Sequence, residues 1–294
     1  MSNDRFDASA HDDLLLAMLR EDIGDGDVTT ALFPPSARFA VACRARSAGV
    51  MCGGSVVARL FELHDPSVET TQLVAEGERF EPGASLLRFS GAASSILTVE
   101  RTALNLLARL CGIATRTALL ADIVAGRAVL LDTRKTTPLL RSLEKYAVRT
   151  GGGQNHRMGL YDQVLVKDNH LALLGSEATD MASLVAEARR RYGPGMVVEV
   201  EVDTEQQFDA LLAAAPDIIL LDNMPPALMA RCAAKRDEFH RQTGRRVLLE
   251  ASGGVTAASI GAIADSGVDR ISVGSLTYNP VMVDIGLDFE ERLP

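Results

Sequence analysis

The sequence predicts an α/β protein whose larger part is a parallel α/β barrel or an open parallel sheet. Between residues 129 and 275, six short apolar runs each end in polar residues. Helical stretches alternate with them, and the strand starts are roughly 20 to 35 residues apart, which is typical of βα repeats. Runs with almost no alternation suit strands that are buried on both faces. Because ligands of parallel α/β folds bind at the carboxyl ends of the strands, the polar residues there are candidates for a site.

The first part of the chain has a different pattern, which predicts a separate and smaller domain. Residues 11–22 have the spacing of an amphipathic helix, and residues 39–89 read as short strands separated by glycine and proline turns. Residues 96–125 are apolar at helical spacing, which predicts two helices that meet near Gly112. After the last predicted strand we expect no further strong strand, and we expect residues 278–294 to pack back on the N-terminal domain.

Composition and charge exclude several classes of protein. Of the 294 residues, 47% are hydrophobic, which is enough for a packed core, and the net charge is -9. An acidic chain is a poor partner for nucleic acid or for an anionic membrane. No apolar stretch of about 18 residues is present, and residues 1–13 lack the segments of a signal peptide, so we expect a cytoplasmic protein. The four cysteines have no metal-binding spacing and are expected to be reduced thiols.

A local excess of positive charge interrupts this acidic chain. Residues 134–167 include seven basic side chains and two acidic ones, which predicts a site for a small polyanion. Only 4 of the 30 basic residues are lysines, and two of them, Lys135 and Lys167, follow predicted strands. This placement favours a need for a compact ammonium group there, although an arginine-rich composition is the alternative explanation. Three further basic residues recur at helical spacing and are better explained as a solvated helix face: Arg141, Lys145 and Arg149.

Glycine-rich segments lie next to these strand ends. Residues 151–157, Gly-Gly-Gly-Gln-Asn-His-Arg, form a turn that presents an imidazole and a guanidinium, and glycine lets a backbone approach a ligand closely. Residues 252–254 precede a helix expected to begin near Thr256, and residues 273–275 close the next strand. Glycine turns after the last two strands of a βα barrel commonly bind phosphate through backbone N–H groups. The alternatives are an incidental loop and tight turns without a ligand.

Two carboxylates end successive predicted strands. Glu201 and Asp222 are candidates to hold Mg²⁺ or to accept hydrogen bonds from sugar hydroxyls, or else to pair with basic neighbours. His156 and His170 are 14 residues apart, and no third ligand stands at a metal spacing, so we expect no zinc site. The chain also lacks the glycine motifs of kinases and dinucleotide enzymes and the nucleophile turn of serine hydrolases.

Several of these runs resemble the signature of the quinolinate phosphoribosyltransferase family. The most specific lie at residues 132–138 (Asp-Thr-Arg-Lys-Thr-Thr-Pro), 144–148 (Glu-Lys-Tyr-Ala-Val), 151–157 and 167–170 (Lys-Asp-Asn-His). Further blocks of the family are similar to residues 21–30, 100–105, 199–203, 220–223, 252–254 and 273–275. The resemblance therefore covers nearly the whole chain.

The resemblance implies a fold, a reaction and an assembly. It implies an N-terminal α/β sandwich over residues 1–112, an open, atypical parallel α/β barrel over residues 113–277, and a tail, residues 278–294, packed on the sandwich. The implied enzyme is a pentosyltransferase of NAD biosynthesis. With Mg²⁺ and no organic cofactor, it joins quinolinate to phosphoribosyl pyrophosphate and yields nicotinate mononucleotide, pyrophosphate and carbon dioxide. It also implies a homodimer with a shared active site, and leaves open whether dimers assemble into hexamers.

Roles for individual residues follow from the same resemblance. The quinolinate-binding set would be Arg101 (supplied by the neighbouring subunit), Thr133, Arg134, His156, Arg157 and Lys167. The set for phosphoribosyl pyrophosphate would be Lys135, Glu201, Asp222, Ser252, Gly253, Gly254, Val273, Gly274 and Ser275. Within these sets the catalytic candidates would be Lys135, Glu201 and Asp222, and the last two would also be the Mg²⁺ ligands.

Two residues depart from the family pattern, and other functions compete with the one it implies. Tyr278 stands where histidine is common, and Cys111 stands where serine is usual, with only a packing effect expected. A paralogue associated with molybdenum transport shares the fold but typically lacks the Lys-Asp-Asn-His and Asn-His-Arg forms. A non-catalytic phosphate or nucleotide sensor would have lost a charge at a strand end. A lipoyl- or biotinyl-like carrier role for residues 39–91 fails because no lysine is there to be modified.

Overall fold

The computed structural model describes residues 6–172 and 178–294. They fall into two compact units. The first unit comprises Met1–Ala118, Thr137–Gly152 and Asn279–Pro294, and the second unit comprises Leu119–Thr136 and Gly153–Tyr278. This grouping assigns residues 137–152 to the first unit, whereas the domain ranges expected from the sequence remain a prediction. Residues 1–5, part of the segment judged for a signal peptide, lie outside the described residues.

The described residues fold into helices and strands that span most of the chain. The helices are α1 (Asp12–Ile23), α2 (Gly54–His64), α3 (Ala93–Val124), α4 (Arg141–Thr150), α5 (Asp168–Ala172), α6 (Ala178–Tyr192), α7 (Glu205–Leu212), α8 (Pro226–Thr243), α9 (Ile260–Asp265) and α10 (Ser275–Tyr278). The strands are β1 (Arg38–Ala45), β2 (Gly49–Val50), β3 (Glu69–Gln72), β4 (Arg79–Phe80), β5 (Ser85–Ala92), β6 (Val129–Leu131), β7 (Val164–Val166), β8 (Val198–Val202), β9 (Ile218–Asp222), β10 (Leu248–Ser252), β11 (Arg270–Ser272) and β12 (Ile285–Leu293). Short 3-10 helices cover Ala8–His11 and Thr30–Leu32.

The first unit is built on an antiparallel sheet with the strand order β12-β1-β5-β3. Helix α2 packs on this sheet, and the rings of Phe61 and Phe89 are 4.2 Å apart. The prediction of strands alone between residues 39 and 89 was wrong at α2. Its buried residues Val56, Val57, Leu60 and Phe61 share one helix face. The two adjacent valines and the flanking glycines made this short window resemble a strand.

The C-terminal segment contains a strand that the sequence did not indicate. Strand β12 pairs antiparallel with β1 along its length, from Ala45 with Ile285 to Arg38 with Leu293. The expectation of no further strong strand was therefore wrong. β12 lies at the edge of the sheet and carries three acidic residues, so it lacks the apolar alternation of a half-buried strand. Its acids pair instead with arginines of the same sheet, as in the 2.8 Å contact between Arg88 of β5 and Glu290.

Helix α3 is a single element of 32 residues. The prediction of two helices meeting near Gly112 was wrong, because this glycine serves close packing rather than a break. A Cβ atom at Gly112 would overlap the carbonyl oxygen of Val281, which crosses the helix at this point. The crossing is also anchored by the N–H of Val283, which donates to the carbonyl of Ala108 at 3.2 Å.

Replacing Gly112 with alanine should lower the free energy of unfolding by about 1–3 kcal/mol, the usual cost of overpacking. The gain in helix propensity of about 1 kcal/mol opposes this but is smaller than the cost of moving backbone atoms. Urea unfolding of the intact protein measures the difference. Gly261→Ala is the matched control, because a Cβ there meets only Ile123 Cγ2 at 3.6 Å. Equal stability of the two variants would contradict the packing role of Gly112.

Helix α4 is more enclosed than its basic spacing suggested. The expectation of a solvated face with Arg141, Lys145 and Arg149 was wrong for Lys145, whose side chain is fully buried. Its neighbour Glu144 is also fully buried and pairs with Arg109 at 2.6 Å. Both charged residues lie within a run of six buried positions, so this helix belongs to the core of the first unit.

The second unit contains a six-stranded parallel sheet in the order β6-β11-β10-β9-β8-β7. All six apolar runs predicted as strands are confirmed. The edge strands β6 and β7 are not bonded to each other within the described residues, so the sheet is open there. Parallel pairing aligns the strand ends, as in the pairing of Ser252 with Asp222. The polar residues that follow the strands therefore meet at one edge.

Two further expectations concern the whole chain. The four cysteines are free and buried. No helix in the described parts of the chain is long and apolar enough to cross a membrane. The cytoplasmic location stays a prediction.

Candidate active site

A cavity of about 400 Å³ lies at the carboxyl ends of the strands of the second unit. Thirteen of the fifteen residues predicted for the site line it: Thr133, Arg134, Lys135, His156, Arg157, Lys167, Asp222, Ser252, Gly253, Gly254, Val273, Gly274 and Ser275. The other lining residues are Leu165, Leu220, Glu250, Val255, Ser272 and Tyr278. This volume suits a small-molecule ligand.

Two guanidinium groups lie close together in this cavity. The Nε atom of Arg134 is buried and has no hydrogen-bond partner among the described residues. Burial lowers the pKa of Arg157, and the nearby Arg134 guanidinium lowers it further. A carboxylate placed between two such groups would relieve their repulsion and satisfy the buried donor, since guanidinium binds carboxylates through paired hydrogen bonds. The arrangement therefore favours an anionic ligand.

The loop that carries His156 and Arg157 is anchored by Asp132, for which the sequence analysis predicted no role. Asp132 is fully buried at the end of β6. Its Oδ1 accepts the backbone N–H of His156 at 2.9 Å, and its Oδ2 accepts the side-chain amide of Asn155 at 2.6 Å. Hydrogen bonds to charged acceptors of this kind hold a loop firmly. Asp132 thus fixes where the loop leaves the sheet.

The three glycines before this loop are not among the residues that line the cavity, which favours the alternative of a loop without ligand contact. Gly151 instead packs on α3, where an added Cβ would lie 2.7 Å from Thr117 Cβ. Gly152 has a positive φ of 91°, which glycine adopts readily. Gly151 and Gly152 therefore serve helix packing and a turn, and of residues 151–157 only His156 and Arg157 line the cavity.

His156 lies in a buried group of charged residues. Its Nε2 is 3.1 Å from Glu199 Oε2 and 3.3 Å from Glu250 Oε1, and both glutamates are fully buried. The Nε of Arg270 is 3.0 Å from the other oxygen of Glu250. Sequence reasoning missed both glutamates as site residues. The available signal was an acidic residue inside an otherwise apolar strand, which needs a buried partner.

The protonation of His156 is subject to opposing effects. Burial lowers the pKa of its imidazole, but the carboxylates of Glu199 and Glu250 outweigh it and raise the value to about 9. Burial, together with the Glu250 carboxylate, raises the pKa of Glu199. On the other side of the ring, the N–H of Arg157 donates to Nδ1 at 2.7 Å, which opposes a second proton there. In either state Nε2 carries a proton that points at the carboxylates.

This proton bears on metal binding. His156, Glu199 and Glu250 are a group of three potential ligands whose ligand atoms lie within 4.8 Å of one another. A histidine ligand needs a free lone pair on the coordinating nitrogen and commonly donates from its other nitrogen. In His156, Nδ1 accepts a hydrogen bond, so Nε2 is the donor. We therefore interpret the three residues as a hydrogen-bonded charge group rather than a metal centre.

The carboxylates predicted at the ends of β8 and β9 have different surroundings. Glu201 does not line the cavity and pairs with Lys167, whose Nζ is 3.2 Å from Glu201 Oε2. Asp222 lines the cavity, and burial raises its pKa, with the Lys167 ammonium opposing and the Asp168 carboxylate adding to this effect. Of the two carboxylates, Asp222 is therefore the one that faces the cavity.

The turn after β10 lies in close contact with the residue that follows β9, Asn223. Gly253 and Gly254 have positive φ values of 90° and 60°. An added Cβ at Gly253 would lie 2.7 Å from Asn223 Oδ1 and 2.9 Å from Asn223 N. That same N–H donates to the carbonyl of Ser252 at 2.9 Å. The helix expected near Thr256 begins later, at Ile260, because residues 256–259 form a hydrogen-bonded turn.

The turn after β11 is tied to Lys135. The hydroxyl of Thr277 donates to the carbonyl of Lys135 at 2.8 Å. The stem of Lys135 and the ring of Tyr278 flank Gly274, with atoms 2.9 Å and 3.1 Å from where its Cβ would be. Tyr278, the residue that departs from the family pattern, thus faces the cavity beside the glycine turn.

Arg101 is placed elsewhere. It lies on α3 in the first unit and lines a separate cavity of about 290 Å³ with Glu21, Asp22 and Arg109 among its neighbours. The role expected for Arg101 requires a second copy of the chain, and it stays a prediction.

Comparison with known proteins decides the family. Residues 27–111 match the N-terminal domain of quinolinate phosphoribosyl transferase, and residues 113–288 match its C-terminal domain. The chain belongs to the quinolinate phosphoribosyltransferase family. The expected combination of an N-terminal α/β domain with a parallel α/β domain agrees with solved structures of similar proteins.

Three relatives illustrate how far the similarity extends. A Mycobacterium leprae protein named nicotinate-nucleotide pyrophosphorylase (carboxylating) is 40% identical, over 98% of this chain and 99% of its own length. A Bacillus subtilis protein named as a probable enzyme of the same kind is 38% identical, over 94% and 92%. The structure of nicotinate-nucleotide pyrophosphorylase from Francisella tularensis is 33% identical in sequence and superposes with a TM-score of 0.87. The superposition covers 97% of this chain and 98% of the Francisella chain.

Proposed function

We propose that this chain transfers the phosphoribosyl group of phosphoribosyl pyrophosphate to quinolinate, with loss of carbon dioxide, and so forms nicotinate mononucleotide for NAD biosynthesis. The observation that carries the proposal is the pair of guanidinium groups of Arg134 and Arg157, with the buried Nε of Arg134 lacking a partner among the described residues. A pyridine with two carboxylates supplies the anion that this pair requires. Relatives that match nearly the full chain carry the name of this activity.

The quinolinate side of the site would be the basic wall of the cavity. Arg134 and Arg157 would bind one carboxylate as a fork, and Lys167 would bind the other after releasing Glu201. Thr133 and His156 complete the set implied by the family, and the ring nitrogen would then point to the sugar. Fixed cations of this kind act without reorganisation, which is why they favour a charged transition state.

The phosphate side would be the two glycine turns. Backbone N–H groups of residues 252–254 and 273–275 would hold the 5-phosphate, as glycine turns do after the last strands of a βα barrel. Lys135 would face the diphosphate, and Asp222 would accept hydrogen bonds from the ribose hydroxyls. The turns and these two side chains line the same cavity, which supports this assignment.

The residues present are compatible with Mg²⁺ bound together with phosphoribosyl pyrophosphate. Mg²⁺ in such sites uses one or two carboxylates and completes its shell with phosphate and water. Asp222 provides one carboxylate, and Glu201 would provide a second if Lys167 turns to the substrate. When bound, Mg²⁺ would neutralise part of the charge of the diphosphate.

The reaction needs little covalent participation from the protein. The ring nitrogen of quinolinate forms a bond to the anomeric carbon while the bond to pyrophosphate breaks, and the ammonium of Lys135 stabilises the leaving charge. The alkylated ring is then cationic, so it accepts the electron pair of the bond to the adjacent carboxylate. Carbon dioxide leaves, and a proton takes its place on the ring carbon. The protein's task is to hold and orient both substrates.

The direct test is an assay of the purified protein with quinolinate, phosphoribosyl pyrophosphate and Mg²⁺. Nicotinate mononucleotide and carbon dioxide should form in equal amounts. Absence of product would favour the paralogue associated with molybdenum transport. Binding of both substrates without turnover would favour a sensor.

A shared active site gives a further expected result, because Arg101 would act in the cavity of a second copy. Arg101→Ala and Lys135→Ala should each be almost inactive alone. Mixing them under conditions of subunit exchange should restore activity, because one of the two sites in a mixed dimer then has both residues intact. Steady-state assays before and after mixing measure the gain, and self-mixed Arg101→Ala is the control. If exchange is demonstrated without any gain, Arg101 does not act across a dimer interface.

A further inference from the structure

The two ring nitrogens of His156 both have partners within the protein. Nδ1 accepts the backbone N–H of Arg157 at 2.7 Å, so the ring holds the peptide unit from which the Arg157 side chain starts. Nε2 lies 3.1 Å and 3.3 Å from the buried glutamates Glu199 and Glu250. The residue is 7% exposed, so water cannot substitute easily for these contacts. The orientation of the imidazole is therefore set by its protein partners.

A second connection leads from Glu199 to the other end of Arg157. The side-chain amide of Gln163 donates to Glu199 Oε2, the oxygen that also faces His156. The backbone carbonyl of Gln163 accepts a hydrogen bond from Arg157 Nη1 at 3.2 Å. Glu199 is thus linked to the peptide N–H of Arg157 through His156, and to its guanidinium through Gln163. A long side chain fixed at both ends loses little further freedom when it binds a ligand.

The negative charges of the group are partly compensated inside the second unit. Two buried carboxylates face the guanidinium of Arg270, which contacts Glu250 at 3.0 Å, and the proton on His156 Nε2. Glu250 lines the cavity, where an uncompensated carboxylate would repel an anionic ligand. The guanidinium of Arg270 and the Nε2–H donor of His156 reduce that repulsion. Removing one member of such a group leaves its partners buried and unpaired, which is costly.

We propose that Glu199 and Glu250 are positioning residues, which act through His156 and Gln163 to aim the Arg157 guanidinium at a carboxylate of the substrate. The inference rests on the proposed function. It adds two buried residues, Glu199 in β8 and Glu250 in β10, that support the substrate-binding side chains from behind. It explains why two acidic residues stand in otherwise apolar, fully buried stretches of these strands. The expected consequence is selective: affinity for the dicarboxylate depends on these glutamates, whereas affinity for phosphoribosyl pyrophosphate does not.

The test is steady-state kinetics of Glu199→Gln, which keeps the shape of the side chain and removes its charge. The KM for quinolinate should rise about tenfold while the KM for phosphoribosyl pyrophosphate changes less than about twofold. Glu205→Gln is the matched control, since Glu205 forms an exposed ion pair with Arg231 at 2.9 Å. It should leave both constants unchanged. Equal changes in both constants for Glu199→Gln would overturn the proposal.

A double-mutant comparison separates positioning from a general structural effect. If Glu199 acts through Arg157, the rise in quinolinate KM should largely disappear when Glu199→Gln is made in an Arg157→Lys background. An undiminished effect in that background would overturn the inference. Should Glu199→Gln or Glu250→Gln fold poorly, Gln163→Met cuts the same connection without altering charge, and it should raise the same constant. A wild-type protein that forms no nicotinate mononucleotide would overturn the proposed function itself, whereas an active wild type with no selective change overturns only the positioning role.

Discussion

Replacing Arg134 with alanine should lower kcat/KM for quinolinate by about a hundredfold or more, because truncating one partner of a buried charge pair costs about 2–5 kcal/mol. The side chain has a buried Nε without a partner in the described part of the protein and lies beside a second guanidinium. Without Arg134, one carboxylate of the substrate would be bound by only one of its two guanidinium partners. Initial rates at saturating phosphoribosyl pyrophosphate, with quinolinate varied, measure the effect.

Two further variants show whether geometry or charge is lost. Arg134→Lys keeps the charge but loses the planar fork, so its loss should fall between wild type and alanine. Arg190→Ala is the matched surface control, because Arg190 forms an exposed pair with Glu187 on α6. It should behave as wild type. An unchanged quinolinate KM in Arg134→Ala would remove this residue from the binding site.

Replacing Gly253 with alanine should lower kcat/KM for phosphoribosyl pyrophosphate by about thirtyfold or more. A left-handed φ costs a residue other than glycine about 1–3 kcal/mol, and overpacking costs a similar amount. At Gly253 φ is 90°, and the new Cβ would lie 2.7 Å from Asn223 Oδ1. The turn would have to move, and its backbone N–H groups would no longer converge on a phosphate. Kinetics with phosphoribosyl pyrophosphate as the varied substrate measure the loss.

The control for Gly253 separates backbone strain from the effect on the site. Gly193 has a φ of 76° with no atom within 4 Å of where a Cβ would be. Gly193→Ala should therefore lose stability in a urea unfolding experiment but keep its affinity for phosphoribosyl pyrophosphate. If Gly253→Ala keeps wild-type kinetics, the turn after β10 does not bind the phosphate.

The sequence predicted most of the second unit because its signals are local. Six buried parallel strands leave mostly apolar runs, and each of those predicted is present. Parallel pairing then brings the strand ends together, so side chains as distant in sequence as Arg134 and Asp222 line one cavity. The same reasoning predicted that the glycine turns at residues 252–254 and 273–275 lie at this cavity. The prediction is possible because the direction of the strands alone determines which of their ends lie at the same edge.

The features that sequence reasoning missed depend on partners distant in the chain. Gly112 and Gly151 looked like a helix break and a ligand turn, but both allow close approach of another segment, which no local pattern encodes. Lys145 has the spacing of an exposed helix face, yet its side chain is fully buried. Glu199 and Glu250 stand in apolar runs, and only the fold shows that they meet across His156.

The pairing of β1 with β12 has a consequence for biosynthesis. Ala45 emerges from the ribosome early, but its partner Ile285 is translated only after the whole parallel sheet has been made. Until then β1 presents an unpaired edge, which is a template for association with other nascent chains. Bringing together strands so distant in sequence also costs conformational entropy, and this cost slows folding. The N-terminal sheet can therefore be completed only after the segment that carries most of the cavity has been translated.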